Sequence, residues 1–125
     1  MPDLGSTYRC NLAPRHIWVI ISDPNNNEGR FVFVNLTTLT ENCVDDVCIL
    51  QNEDYHPFLM QPTTVAYSRY KIGDVVSMEK LLNLGAFHSM PAIPPETLQK
   101  IINGAHKTLE LPKAAKSLLP PTQQV

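Results

Sequence analysis

The 125-residue sequence predicts a mostly β fold, a curled barrel or half-barrel of about five to six short strands with helices at its C-terminal end. Three observations lead there. Two apolar, β-branched runs, HIWVIIS at 16–22 and RFVFVNL at 30–36, flank the turn-forming DPNNNEG. Shorter runs of the same character recur nearby, and that many short strands do not bury themselves as a flat sheet. The clearest helical periodicity lies late in the chain, at Leu98, Ile101, Ile102 and Ala105.

Taken in order, Thr7 to Cys10 is an edge-strand candidate, and the two long runs form a hairpin. A turn centred between Asn26 and Asn27 pairs Ser22 with Phe31 and His16 with Thr37. Opposed residues of antiparallel strands have Cβ atoms roughly 5 Å apart, so an imidazole and a hydroxyl converge at the hairpin's open end. VCIL at 47–50 and TTVAY at 63–67 continue a meander around the polar QNEDYHP, and Lys71 to Val76 is a further strand weakened by Gly73. Ser77 to Leu84 reads as a short helix with Ser77 at the N-cap and Gly85 just past its end. Pro95 to His106 is the best-marked helix, with proline at its first position and Glu96 in its first turn. Lys113 to Leu119 forms a last helical turn between Pro112 and Pro120, and the end of the chain is expected to fray. The expectation is therefore one domain over 1–125, with its core at about 7–119 and a frayed tail at 120–125.

The balance of 43% apolar and 18% charged residues is that of a folded chain. No apolar run reaches the length needed to cross a bilayer, and MPDLGSTYRC lacks the blocks of a signal peptide, so a cytoplasmic location is expected. Cys10, Cys43 and Cys48 are then read as thiols, and the five-residue spacing of the latter two does not suit a zinc site. A formal net charge of −2 excludes a dedicated polycation, so any RNA contact has to be local.

No Gly-rich phosphate loop, G-x-S-x-G elbow or H-E-x-x-H motif is present. His16 with Arg15 beside it and Thr37 opposite is the strongest constellation. Phosphodiester chemistry needs a proton-transfer group that titrates near neutrality and a cation or donor near the phosphate. The competing structural reading has His16 simply starting a strand, with Thr37 and Thr38 serving as β-formers. His56, in YHPF, carries flanking aromatics that form a platform for a base or cover a barrel end.

These segments resemble a known family. RHIWVIISDP followed by RFVFVNLTTLTEN is similar to the second and third strands of MazF/PemK-type toxins, where Arg-Pro precedes a V-V-L-S strand and the next ends in V-P-x-T. His56-Pro57-Phe58, Val65-Ala66-Tyr67 and Pro112-Lys113-Ala114-Ala115-Lys116 match small bacterial PemK-like proteins more closely, so the likeness spans most of residues 8–119. It implies an SH3-like barrel with a C-terminal helix. It further implies a homodimeric, metal-independent endoribonuclease of a type II toxin–antitoxin system, acting on single-stranded RNA through the ribose 2′-hydroxyl and neutralised by an antitoxin peptide, with no cofactor.

Carried over by position, Thr37 falls on the toxin threonine and His16 on its catalytic arginine. Arg15, Thr38, His56, Tyr67 and Arg69 are the substrate-binding candidates, with Tyr67 stacking a base. The sequence departs from the pattern where Gln61 and Pro62 replace an acidic residue and where NLAP shortens a Gly-rich loop. Arg15, if it lies on a regular strand, points away from His16. A non-catalytic barrel that binds a protein partner or nucleic acid through the same surface is the alternative.

Overall fold

The structure is a computed structural model describing residues 2–13, 15–41, 43 and 45–122. Pro14 of the NLAP segment, Asn42 of the quoted strand segment and residues 123–125 of the expected tail lie outside the described residues.

Six strands form one antiparallel sheet: β1 (Thr7–Cys10), β2 (Ile17–Ile20), β3 (Arg30–Thr38), β4 (Ile49–Leu50), β5 (Thr63–Asp74) and β6 (Phe87–Met90), in the order β4-β5-β3-β2-β1-β6. Among the described residues three α-helices accompany it: α1 (Val75–Asn83), α2 (Pro95–Lys107) and α3 (Lys113–Lys116). The sheet curls into a half-barrel, as the number and shortness of the strands require.

The hairpin has the register read from its turn, with Ile17 paired to Leu36 and Ile20 to Phe33. Asp23 accepts from the Asn25 N–H at 2.9 Å, and Gly29 supplies a positive φ of 80° where the chain reverses. Beyond the strand end, Ser22 Oγ accepts from the Val32 N–H at 2.7 Å.

Other elements correct the sequence reading. Thr7–Cys10 is an inner strand, because β6, which carries no strong strand signal, pairs with it from Thr7–Met90 to Cys10–Phe87. The separate strands expected at 63–67 and 71–76 are one, β5, interrupted by a bulge. Phe33 pairs with Lys71 while Asn35 pairs with Ala66, so residues 67–70 arch out opposite Val34. The buried Asp45 holds that arch, its Oδ2 accepting from Ser68 N–H at 2.9 Å and Ser68 Oγ at 2.6 Å. Helix α1 begins earlier than its sequence suggests. Asp74 is its N-cap, accepting from the Ser77 N–H at 2.8 Å, and this bond keeps the exposed Asp74 carboxyl below its ordinary range.

The sheet separates two apolar clusters. One face carries Val19, Val32, Val34 and Val65 against Ile101, Ile102 and Ala105 of α2. The other carries Tyr8, Trp18, Phe31 and Phe33 with Met78 of α1. Strand alternation generates both: Phe31 and Phe33 point one way while Val32 and Val34 point the other.

Gly104 marks the closest approach of α2 to the sheet. A Cβ there would overlap the Tyr67 hydroxyl and stand 3.0 Å from Cys48 Cβ. Helix propensity alone would make Gly104→Ala stabilising by about 1 kcal/mol. The rigid Tyr67 ring cannot yield, however, and overpacking of this kind costs about 1–3 kcal/mol. Chemical denaturation of Gly104→Ala is expected to show a net loss of stability.

Candidate functional site

The aromatic face changes character toward the open end of the hairpin. Along β3 the alternating residues run Phe31, Phe33, Asn35, Thr37, and across from them stand Ile20, Trp18 and His16. The apolar row thus becomes polar where the sheet leaves the cover of α1. Thr37 Oγ1 lies 3.4 Å from His16 Nδ1, and both residues are half-buried.

They line a cleft of about 490 Å³ whose wall also carries Arg9, Arg15, Thr38 and Gln61. Arg15 precedes β2 instead of lying on it, which frees it from strand alternation and places it on the same cleft as His16; the expectation that it turns away is corrected. Among the described residues that line the cleft, none is a carboxylate, and Gln61 stands on its wall.

Desolvation pushes the His16 pKa below its ordinary value, and the Arg69 guanidinium nearby pushes in the same direction. His16 is therefore neutral at pH 7, with one ring nitrogen able to accept a proton. Arg69 itself lines an adjoining hollow that shares His16 with the cleft, brought there by the β5 bulge.

Two sequence candidates fall elsewhere. Tyr67 is fully buried and donates its hydroxyl to the Ile101 carbonyl at 2.7 Å, so no ring face is open to a base; burial raises its pKa far above the ordinary tyrosine range. Its position in TTVAYSRY reads as strand, and only the packing of α2 decides that it faces the core. His56 is exposed, caps the turn before it and bonds Asn52 Oδ1 through Nδ1 at 2.9 Å, away from the cleft lining. The neighbouring Phe58 reaches the cleft instead.

Arg9 and Thr40 are also on the cleft wall and were not singled out from sequence. Arg9 is an exposed residue in the middle of β1, a position whose only sequence signal is a cation in a strand that otherwise packs inward. With Arg9, Arg15 and four threonines around a neutral imidazole, the cleft is suited to hold a phosphodiester and move one proton at it.

No family model and no curated protein sequence matches the chain. Solved structures do. A chain of a mycobacterial endoribonuclease determined in complex with its cognate antitoxin is 21% identical, over 90% of this chain and 98% of that one, with a TM-score of 0.56. A chain of a MazE–MazF crystal structure from Deinococcus radiodurans is 15% identical, over 88% of this chain and 97% of its own, with a TM-score of 0.53. A second crystal form of that complex gives 14%, 85%, 92% and 0.52. The fold is that of the MazF/PemK-like proteins. Among the described residues no helix is long and apolar enough to cross a membrane.

Proposed function

We propose that this protein is a toxin of the MazF/PemK type that cleaves single-stranded RNA in the cleft between His16 and Thr37 and is held inactive by an antitoxin peptide. The observation that carries the reading is the convergence, on a MazF-like fold, of a neutral imidazole, a hydroxyl and two arginines on one acid-free cleft. In the reaction, neutral His16 accepts the proton of a ribose 2′-hydroxyl. The 2′-oxygen attacks the adjacent phosphorus and the bond to the 5′-oxygen breaks. The products are a 2′,3′-cyclic phosphate and, once the leaving oxygen takes a proton from water, a 5′-hydroxyl. Arg9 and Arg15 stabilise the charge that builds on the phosphoryl oxygens, and Thr37 orients the imidazole.

The His16 assignment fixes the pH dependence. A base must be unprotonated to act, and its pKa is lowered, so activity is retained as the pH falls from 7 through 6.5 and is lost only below the ordinary histidine value. Initial rates on a fluorophore-labelled RNA between pH 4.5 and 8, in the presence of EDTA, measure this. An acid limb centred above 6.5 contradicts the assignment, and RNA left intact at every pH contradicts the function.

A further inference from the structure

The hollow beside the cleft contains a group that the proton-transfer site does not use. Asn35 is 2% exposed, and among the described residues its Oδ1 has no hydrogen-bond partner. Buried acceptors are almost always satisfied, so an orphan that survives among the apolar residues Phe31–Leu36 of β3 is to be explained by something that is not part of the chain. Asn35 stands opposite Trp18, one alternation along from the His16–Thr37 pair and on the same face. It lines a cavity of about 460 Å³ with Trp18, His16, Arg69, Tyr70 and Lys71.

We propose that this cavity takes a nucleobase adjoining the scissile phosphate, with the Asn35 amide reading the base's hydrogen-bonding edge. This rests on the RNA-cleaving reading above and adds to it the element of sequence choice. A carboxamide offers an acceptor and a donor side by side, the pattern that pairs with the adjacent donor and acceptor atoms of a base. The aromatic residues Trp18 and Tyr70 supply apolar contact for a flat heterocycle. Arg69 and Lys71 line the same hollow with positive charge and attract the neighbouring phosphate.

The shared His16 ties the two hollows together. It lines both, so a nucleotide whose phosphate lies against His16 and Thr37 has its base within reach of Asn35. The bulge in β5 completes the arrangement, because it carries Arg69 and Tyr70 out of the regular ladder opposite Val34 and onto this cavity. Asp45 pins the bulge through Ser68.

Trp18 is the chain's only tryptophan and reports directly on occupancy. The experiment titrates the full-length protein with AMP, GMP, CMP and UMP, and with ribose 5-phosphate as the baseless control, following Trp18 fluorescence. Saturable quenching that favours one base over the worst by about tenfold in Kd is expected, with no quenching by ribose 5-phosphate. Asn35→Leu is expected to reduce that preference to below about threefold, and Asn35→Asp, which keeps an acceptor but loses the amide donor, to change which base is preferred. Circular dichroism of both variants establishes that they are folded. Equal quenching by all bases, or a preference unchanged in both variants, overturns the proposal. Absence of quenching by any nucleotide also overturns it and leaves the hollow to a side chain of a protein partner. Cleavage of RNA without base-selective quenching sinks the pocket alone; base-selective quenching without cleavage sinks the nuclease reading alone.

Discussion

Replacing His16 with alanine is expected to lower the rate of the proposed RNA cleavage by about 10²–10⁴-fold, the usual contribution of a positioned general base. The expectation follows from the cleft's composition. Its other polar groups are arginines, threonines and a glutamine, and none of these exchanges a proton readily near neutral pH. Folding should survive the change, because the ring is half-buried and its side-chain hydrogen bond is a long one to Thr37. His16→Ala is therefore expected to unfold at nearly the wild-type temperature while losing turnover. Thr37→Ala, which removes only the group that orients the imidazole, should cost less. A His16→Ala protein with wild-type turnover would return the residue to the role of a strand-starting side chain.

Tyr67→Ala should produce the opposite pattern. The ring is fully enclosed between the sheet and α2, in contact distance of Cys48 and Gly104, and its hydroxyl bonds the Ile101 carbonyl. Removing it leaves a cavity under the helix, at a cost of about 3–5 kcal/mol for a large aromatic side chain. Tyr67→Phe deletes only the hydroxyl and costs about 1 kcal/mol. Urea denaturation of the two variants checks this ordering. A base-stacking tyrosine would behave differently: Tyr67→Phe would be silent, and Tyr67→Ala would weaken RNA binding with stability intact.

The contrast between these residues shows what the sequence could disclose. The hairpin was legible down to its register, because two apolar runs flank a turn whose centre is fixed by its asparagines, and the His16–Thr37 encounter follows from that register. Helix α2 was legible from its apolar spacing and first-position proline. Strand β6 was not, because Phe87–Met90 is short and half exposed, and only its pairing with β1 makes it a strand. The fate of 63–76 was likewise hidden, since a bulge held by the distant Asp45 decides that it is one strand bent in the middle.

The site divides in the same way. Arg15, His16, Thr37 and Thr38 meet because they flank one hairpin end, a local consequence of pairing. Arg9 joins them from β1, and Phe58 and Gln61 from the segment before β5, which no local pattern reveals. Tyr67 and His56 bear suitable chemistry at the wrong places, one turned into the core by α2 and the other committed to Asn52. Asn35 had one sequence signal, a lone amide inside RFVFVNL, and its meaning emerges only with the cavity beside it.

Identification of the RNA ends tests the central claim most directly. Purified protein is incubated with a long single-stranded RNA in EDTA, and the fragment termini are determined for the wild type and for the His16→Ala, Thr37→Ala double variant. The expected result is fragments with 2′,3′-cyclic phosphate and 5′-hydroxyl ends from the wild type and intact RNA from the variant. Fragments ending in 5′-phosphate, or cleavage that persists in the double variant, would contradict it.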